Sequence, residues 1–446
     1  MTTDTAIIWS VGALMAIGVM IPFHLRNRAI QRRTERAEVE ALKYGLKEPV
    51  TLHPVVDVGE CIGTGNCLSR CPEGEVIGFR YGQAYTVSPA RCIGHGLCER
   101  ACPVQAIQLV FGSEKRGVEL PRIKANFETN VPGLYVIGEL GGMGLIRNAF
   151  EQGRQCVDGI RRERRNGPAD ALDALIVGCG PAGLSASLHC LRNDLSFATV
   201  EKEEDTGGAV RYYPRKKLVM TDPIRVPGYG KLRYREILKE DLVDIWQDII
   251  SKTGLEIASG EAVSNVNRED GCFTVTTKKG VYRTKRVILA IGRRGVPRKL
   301  NVPGEDSTKV AYALREPEAY QNDRILVVGG GDSAVEAALS LAGQAGNQVT
   351  ISYRRDRFAR IKPRNLERIE RKVMLGQIKV LWSTNLREIG PDHVLIANGV
   401  GDPQHIANDY VFVFAGGQLP THFLKSCGVK IDTKFGEPQA AHARNG

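Results

Sequence analysis

Known nucleic-acid-binding patterns are missing from this chain. Its 446 residues carry a formal charge of +11 and a pI near 9.1. Such a balance suits nucleic acid, an anionic membrane surface or phosphate-bearing small molecules. Neither a helix-turn-helix pattern nor a zinc-finger spacing occurs, so we expect no nucleic-acid partner.

The N-terminal segment lacks charge, a basic leader and a cleavage site. Residues 6–23 read AIIWSVGALMAIGVMIPF without a charged side chain, near the roughly 17–25 residues that a membrane-spanning helix needs. Asp4 precedes this run, and Pro22, Phe23 and His24 end it, which disfavours a secretory signal peptide. A buried core helix is the remaining alternative.

Basic residues follow the uncharged run and predict its orientation. The arginines are Arg26, Arg28, Arg32, Arg33 and Arg36. Because basic flanks face the cytoplasm, residues 1–27 are predicted to be a single-pass anchor in the cytoplasmic (inner) membrane, with the catalytic part in the cytoplasm. Residues 28–50 mix Arg and Glu with Ala and Leu and are predicted to be a solvated helical linker.

Six of the eleven cysteines form two copies of one pattern. The copies are Cys61-x5-Cys67-x3-Cys71-Pro and Cys92-x5-Cys98-x3-Cys102-Pro. Cysteines crowded in this way within a long chain are typical of metal ligands in a reducing compartment, not of disulfides. Thiolates at short spacing suit iron–sulfur clusters; a zinc ribbon is the alternative.

The repeated pattern resembles that of the two-cluster bacterial ferredoxins, C-x2-C-x2-C-x3-C-P, in which the fourth cysteine crosses to the other cluster. The resemblance implies a small α+β ferredoxin module over residues 51–117 with two 4Fe–4S clusters. The implied ligand sets are Cys61, Cys67 and Cys102 for one cluster and Cys71, Cys92 and Cys98 for the other.

The second cysteine of each ferredoxin run is replaced, by Thr64 in one run and by His95 in the other. Imidazole ligates iron in Rieske centres, so His95 is a predicted ligand, with an uninvolved loop residue as the alternative. The cluster beside Thr64 is expected to contain three irons or to have one exchangeable corner.

A glycine-rich turn between a predicted strand and a predicted helix indicates a first dinucleotide site. Its residues are Gly178, Gly180, Pro181, Ala182 and Gly183. Such glycines let backbone amides approach a pyrophosphate at a helix N-terminus. The next predicted strand, residues 196–200, ends at Glu201, which is placed to bind ribose hydroxyls.

A second turn of the same kind contains Gly329, Gly331, Asp332, Ser333 and Ala334. Its next predicted strand, residues 348–352, ends without an acid and leads to Arg354, Arg355 and Arg360. Arginine at this point suits a 2′-phosphate and favours NADPH over NADH. A solvated basic turn is the alternative.

Two tandem dinucleotide motifs indicate a flavin between nicotinamide and an acceptor. From residue 175 onward the motifs resemble the thioredoxin reductase family, and more closely its bacillithiol-disulfide-reductase-like branch. Gly208, the segment 290–292 and the segment 411–417 carry this resemblance. It implies an FAD domain at 168–296, an NADPH domain at 297–408 and a return to the FAD domain at 409–446. A homodimer is implied only by analogy.

The chain departs from this family in two places. No C-x-x-C precedes the second turn, where residues 312–320 contain no cysteine. The family's last flavin segment, T-x-x-P-G-x-x-x-x-G-D, is found before the first turn, where it ends in Gly138 and Glu139. We therefore predict a circular permutation in which residues 118–167 complete the FAD domain; a plain linker is the alternative.

Together these patterns predict an α/β protein with two Rossmann-like domains, a ferredoxin module and one transmembrane helix. The predicted function is that of a membrane-anchored NADPH-dependent FAD oxidoreductase that exchanges electrons with its own clusters and an unidentified partner. No catalytic acid or base is assigned. A reductase of a low-molecular-weight disulfide and a membrane-bound iron–sulfur redox sensor are the alternatives.

Overall fold

Two compact units make up the protein, which we describe from a computed structural model. The first comprises Met1–Arg116 and Phe435–Gln439, and the second Gly117–Lys434 and Ala440–Gly446. The structure describes residues 3–43, 45–49, 52–115, 117–142, 144–163, 168–213, 215, 217–220, 223–234, 236–269, 271–293, 296–358, 361–399, 403–418 and 420–438.

Helices and short strands alternate through most of the described chain. The helices are α1 (Thr3–Lys43), α2 (Asn66–Arg70), α3 (Leu97–Ala101), α4 (Ile146–Arg162), α5 (Pro181–Arg192), α6 (Lys239–Thr253), α7 (Asp332–Leu341), α8 (Pro363–Met374) and α9 (Thr421–Ser426). The strands are β1 (Leu52–Val56), β2 (Ile77–Arg80), β3 (Gln83–Thr86), β4 (Ile107–Phe111), β5 (Val118–Pro121), β6 (Leu134–Val136), β7 (Ala174–Val177), β8 (Phe197–Val200), β9 (Leu218–Met220), β10 (Ile224–Val226), β11 (Gly230–Leu232), β12 (Glu236–Leu238), β13 (Val263–Glu269), β14 (Cys272–Thr277), β15 (Val281–Thr284), β16 (Val287–Leu289), β17 (Val296–Pro297), β18 (Val310–Ala311), β19 (Arg324–Val328), β20 (Gln348–Tyr353), β21 (Ile378–Trp382), β22 (Thr384–Ile389), β23 (His393–Asn398), β24 (Gln404–Ala407), β25 (Tyr410–Val413), β26 (Gly417–Gln418), β27 (Ile431–Lys434) and β28 (Glu437–Pro438).

The first unit is built from two small antiparallel sheets and a repeated short helix. β1, β4 and β28 form one sheet, and β2 and β3 form a hairpin. α2 and α3 each begin after a left-handed glycine, Gly65 or Gly96, with φ of +71° and +69°. Each helix ends at a cysteine with extended backbone, Cys71 or Cys102. The sequence repeat is therefore also a structural repeat.

The second half of α1 packs on the hairpin of the first unit. Thr34, Ala37 and Ala41 are buried, and Thr34 Oγ1 accepts a hydrogen bond from the Phe79 amide at 3.0 Å. Glu38 accepts a further bond from Arg80 at 2.6 Å. The helix predicted within residues 28–50 is present through Lys43, but the expectation that it is solvated fails on one face, where small residues let it approach the hairpin closely.

The first half of α1 carries the apolar run at 6–23. In the part of the chain that the structure describes, α1 and the other helices all lack an apolar stretch that would reach across a bilayer. The prediction of a spanning helix is thus not confirmed.

The second unit contains a four-stranded parallel sheet in the order β6-β16-β7-β8. Its strands are nearly continuous apolar runs, as expected for a parallel sheet covered on both faces. α4 and α5 pack against each other on this sheet. β6 and α4 come from residues 118–167, so this segment supplies a strand and a helix to the domain of the first glycine turn.

A five-stranded parallel sheet follows in the order β18-β25-β19-β20-β21. Its core includes the buried Val327, Ile351 and Phe412. β25 pairs with β18 and β19, so the predicted return to the flavin domain at residue 409 comes too early. This architecture confirms the α/β part of the predicted fold class, whereas the second dinucleotide-binding domain stays a prediction.

Candidate functional site

A cavity of about 640 Å³ lies in the second unit, within the roughly 300–1,000 Å³ typical of cofactor sites. The first glycine turn, the ends of β7 and β8 and the N-terminus of α4 line it. Residues that directly follow β18 and β25, together with Ser333 and Glu336 of α7, complete the wall. The predicted residues that line it are Gly138, Glu139, Gly178, Gly180, Pro181, Ala182, Glu201, Gly208 and Ser333.

The first glycine turn brings the start of α5 close to β7. A Cβ on Gly183 would collide with the Gly178 carbonyl group, with its carbon at 2.9 Å. Pro181 is the first residue of α5. A backbone N–H at this position has no partner within the helix, so proline loses no helical hydrogen bond there. Turn amides and a helix N-terminus therefore border the cavity, which is what a pyrophosphate requires.

The two predicted carboxylates lie on separate parts of the cavity wall. Glu201 is buried, and its oxygens accept hydrogen bonds from the amides of Cys179 at 2.7 Å and Glu203 at 3.1 Å. Glu139 lies in a single 3-10 turn, Gly138–Gly141. The Gly138 amide, which precedes it, donates to the buried Gln152 Oε1 at 2.7 Å.

The second glycine turn has the predicted strand–turn–helix form. Gly329 has φ +142°, and a Cβ there would lie 2.6 Å from the Phe414 carbonyl oxygen. Ser333 lines the cavity, whereas Ala334 is buried beneath the turn. Gly331 is the residue before α7.

Asp332, the first residue of α7, points toward the start of α8. Its Oδ1 accepts hydrogen bonds from the Lys362 amide at 2.9 Å and from Asn365 Nδ2 at 2.7 Å. Its carboxylate is therefore used to join two helices, and the side chain is absent from the cavity lining that the structure describes.

The predicted phosphate-binding arginines follow β20. Arg354 and Arg355 are exposed, while the preceding Tyr353 packs against Phe358 and Trp382. The Arg355 carbonyl accepts a hydrogen bond from the Ser383 amide at 3.0 Å. Arg360, the third predicted arginine, lies outside the described residues.

Several charged residues of the cavity wall escaped the sequence-based prediction, and two of them, Lys217 and Glu336, form an ion pair. Lys217 Nζ lies 3.1 Å from Glu336 Oε2 and 4.7 Å from the centre of the Tyr213 ring. Glu336 follows Ser333 by one helical turn, the only signal that pointed to it. Lys217 and Glu336 are 119 positions apart, and no local pattern connects them.

Three ferredoxin cysteines surround a second, small cavity in the first unit. Cys61, Cys67 and Cys102 line it together with Thr64. Amides of Ala84 and Ala106 donate to the sulfurs of Cys61 at 3.4 Å and Cys102 at 3.2 Å. Burial, with smaller contributions from the charges of Cys61 and Cys102, raises the pKa of the Cys67 thiol to about 11.

The other three cysteines are also neighbours. Burial raises the pKa of the Cys92 thiol to about 12, with Cys98 and Cys71 adding to the shift. The pKa of the Cys98 thiol is raised to about 11 by burial and then by Cys71. His95, from the same run, is half-buried, and its carbonyl accepts from Arg100 at 3.3 Å.

The donors present fit two clusters in type and in grouping. Among the described side chains, no three His, Cys, Asp or Glu residues meet closely enough to ligate a single metal ion. An iron–sulfur cluster instead takes its thiolates at separate corners. Around the small cavity, Cys61, Cys67 and Cys102 face one shared space. Amide–sulfur hydrogen bonds such as those to Cys61 and Cys102 tune cluster potentials.

Two features define a redox protein of the flavin and iron–sulfur type. One is a dinucleotide-sized cavity beside a glycine turn, and the other is the presence of two sets of three neighbouring thiols. A pyridine nucleotide-disulphide oxidoreductase family model matches residues 175–444, and a 4Fe-4S dicluster domain model matches residues 53–103. The chain belongs to the pyridine nucleotide-disulphide oxidoreductase family and carries a 4Fe–4S dicluster domain.

Several relatives match a little over half of the chain. The bacilliredoxin reductase of Bacillus subtilis is 28% identical over 59% of this chain and 83% of its own length. The ferredoxin–NADP reductase of Ignicoccus hospitalis is 31% identical over the same shares. The solved bacillithiol disulfide reductase of Staphylococcus aureus has a TM-score of 0.53 and 28% identity, over 59% of this chain and 82% of its own.

These matches confirm both resemblances predicted from the sequence. The protein is a pyridine-nucleotide-dependent flavin oxidoreductase, and FAD, NADP(H) and 4Fe–4S clusters are the cofactors expected of its two families. The individual cofactor contacts and the remaining predicted domain boundaries stay predictions.

Proposed function

We propose that the protein exchanges electrons between NADPH, FAD and its own iron–sulfur clusters, which serve an external electron-transfer partner. When bound, these cofactors supply hydride transfer between nicotinamide and flavin and one-electron transfer at the clusters. The chain positions them: the glycine turns and Glu201 hold dinucleotides, and the six cysteines hold iron. NADPH preference is part of the proposal and rests on Arg354 and Arg355.

The distribution of thiols carries this proposal. No cysteine is among the described residues that line the large cavity. Cys179, beside the first turn, and Cys156 are buried, and burial raises the pKa of both thiols well above the ordinary range. Burial also raises the pKa of Cys190 to about 12. A thiolate is the nucleophile in disulfide exchange, so these three buried thiols supply none at neutral pH.

Anaerobic reduction tests the exchange between cofactors. NADPH is added to purified protein, and flavin absorbance and cluster EPR are followed together; in the reverse experiment the clusters are reduced first and NADP⁺ is supplied. We expect electrons to pass in at least one direction. The control Cys67→Ser should lose one cluster yet keep flavin reduction by NADPH. Flavin reduction without transfer in either direction would contradict the proposal.

Reduction of a low-molecular-weight disulfide is the second candidate, and the name of the solved relative from Staphylococcus aureus favours it. The assay is NADPH oxidation with bacillithiol disulfide as substrate. If the protein and its Cys67→Ser variant turn over this substrate equally fast, the clusters are accessory and the second candidate holds. If turnover requires the clusters, or if no turnover is seen, the first candidate function is favoured.

We also propose that the first half of α1 attaches the protein to the cytoplasmic membrane, with the catalytic units in the cytoplasm. Trp9, Leu14 and Phe23 are between 63% and 71% exposed, and arginines begin at Arg26. Helices with this combination bind anionic lipid surfaces.

Flotation with vesicles tests the membrane proposal. Protein with and without residues 1–27 is mixed with phosphatidylglycerol-containing or purely phosphatidylcholine vesicles. We expect flotation only of the full chain, and mostly with the anionic lipid. Equal flotation of both proteins would contradict the proposal. If the full chain is a dimer and removal of residues 1–27 makes it a monomer, the apolar surface of α1 would instead contact a second copy of the chain.

A further inference from the structure

One position distinguishes the two halves of the ferredoxin repeat. The helices α2 and α3 have matching start and end geometry, and each half supplies three cysteines in the same spacing. At the position of the missing second cysteine of the run, one half has Thr64 and the other has His95. The backbone and the three cysteines are thus duplicated, but the side chain at the fourth ligand position differs between the two halves.

The cavity beside Thr64 contains only three sulfur donors. Its other described lining residues are Ile62, Gly63, Thr64, Gly65, Ala84, Val104, Ala106 and Ile107, and none of these carries a nitrogen, thiol or carboxylate side chain. Cys61 and Cys102 are fixed by amide–sulfur hydrogen bonds. Three irons of a cluster bound here would therefore be ligated by cysteine sulfur, and the fourth iron would have no cysteine ligand.

The fourth corner is open to solvent. Thr64 is exposed, and the adjacent Ile62 is 67% exposed. A neutral hydroxyl is a weak ligand for iron compared with a thiolate, since iron–sulfur clusters select soft anionic sulfur. Solvent therefore competes with Thr64 for this corner, and a soft ligand from outside displaces it.

We propose that the corner at Thr64 is a binding site for a small external thiolate, which takes the place that cysteine occupies in a complete ferredoxin run. The inference rests on the proposed iron–sulfur function of the module. The incoming thiolate forms one iron–sulfur bond and releases one solvent molecule, so no electron is gained or lost. An added Cβ on Gly65, the residue after Thr64, would meet no atom within 4 Å, so this side of Thr64 has room for a small ligand.

The second half of the repeat provides an internal comparison. Cys71, Cys92 and Cys98 are neighbours there, and His95 offers a nitrogen that can fill the fourth corner. His95 is less exposed than Thr64. One of the two clusters should therefore respond to an added thiolate, and the other should not.

Spectroscopy of the anaerobically purified full chain tests this inference. The reduced protein is titrated with 2-mercaptoethanol, with ethylene glycol as the matched oxygen analogue, and is followed by EPR and Mössbauer spectroscopy. We expect the thiol to shift the signals of one cluster while those of the other stay unchanged, and the glycol to have no effect. On air oxidation, the thiol should suppress a three-iron signal.

Three variants assign the response to one corner. Thr64→Cys should show no thiol response, because the protein now supplies the sulfur. Thr64→Val, which keeps the shape and removes the hydroxyl, should respond like the original chain, and so should the control His95→Cys. No thiol response, an equal response of both clusters, or a response lost in Thr64→Val would overturn the inference. Absence of clusters from the purified protein would instead refute the proposed function.

If Thr64→Cys fails to assemble its clusters, the unmodified chain and Thr64→Val still decide the question. The first shows whether one cluster binds a thiolate, and the second shows whether the threonine hydroxyl competes as a ligand. Both measurements use protein whose flavin content serves as an independent check of folding.

Discussion

Gly153 lies where α4 touches α5, and its replacement by alanine tests whether α4 belongs to the flavin site. A Cβ at this position would collide with the carbonyl oxygen of Ala182 and lie 2.8 Å from both the Ala186 nitrogen and Ser185 Cβ. Ser185 Oγ also donates to the Phe150 carbonyl of α4 at 2.5 Å. The new methyl group therefore meets helix backbone that cannot rotate away.

The size of the effect follows from these distances. Carbon atoms settle at roughly 3.5–4.0 Å, so the helices must separate by about 0.7 Å. Overpacking of this kind costs about 1–3 kcal/mol, and alanine in a helix returns about 0.5–1 kcal/mol. The net loss is on the order of 1–2 kcal/mol, and the start of α5, which borders the cavity, shifts with it.

Gly159, on the same helix, is the matched control. Its nearest neighbour for an added Cβ is Asn126 Cβ at 3.9 Å, an ordinary contact. Gly159→Ala should therefore gain about 0.5–1 kcal/mol. We measure FAD content after purification and the temperature at which flavin fluorescence is released. Gly153→Ala should lower both quantities, by roughly 2–4 °C per kcal/mol, and Gly159→Ala should raise the temperature. If the two variants behave alike, the packing of α4 does not support the flavin site.

Three further predictions concern the nucleotide preference, the flavin segment and acid stability. Replacing Arg354 and Arg355 by Gln should weaken NADPH by about 1.5 kcal/mol per contact or less, since charge-assisted bonds contribute about 1.5–3 kcal/mol and both side chains are exposed. Binding titrations should show NADH unaffected; an equal loss for both nucleotides would show that the arginines do not contact the phosphate. A chain that begins at Leu172 lacks Leu134–Val136 and should bind FAD poorly, whereas a chain without residues 1–110 should keep it; stoichiometric FAD in the shorter protein would remove the case for the permutation. Burial lowers the pKa of His189 to about 4, below the roughly 6.5 of an unfolded histidine. The unfolded state therefore binds more protons between these values, and stability should fall by up to about 3 kcal/mol as pH drops from 6.5 to 4. His189→Gln should flatten this part of a denaturation series, and an unchanged slope would exclude His189 as its source.

Local patterns predicted the glycine turns well because a turn needs particular residues at fixed positions. The strand predicted at 196–200 is β8 at Phe197–Val200, and that predicted at 348–352 is β20 at Gln348–Tyr353. The thiol sets predicted from the crossed ferredoxin pattern match the cysteines that are neighbours in the structure. In each case the prediction relied on the spacing of particular residue types along the chain.

Features that depend on distant partners were not predictable in this way. Thr34, Ala37 and Ala41 are small and unremarkable in composition, yet their burial shows that α1 is a packed element of the first unit. The contact between Lys217 and Glu336 joins segments far apart in sequence. Hydropathy alone favoured a spanning helix because residues 6–23 are uncharged, but no helix in the described part of the chain is long and apolar enough to cross a membrane.

The pairing of β5 with β27 gives the predicted circular permutation a physical route. The two strands are antiparallel, and Lys434 lies opposite Val118, so the end of one strand meets the start of the other. Arg122 donates to both oxygens of Asp432 at 2.8 and 2.7 Å and strengthens this pair. Antiparallel strands in such a register are joined by a two-residue turn. A turn from Lys434 to Val118 would restore the order of segments found in the resembled family without breaking a strand pair. The ferredoxin module therefore precedes Val118 at a point where the second unit can be cut and rejoined with little change to its contacts.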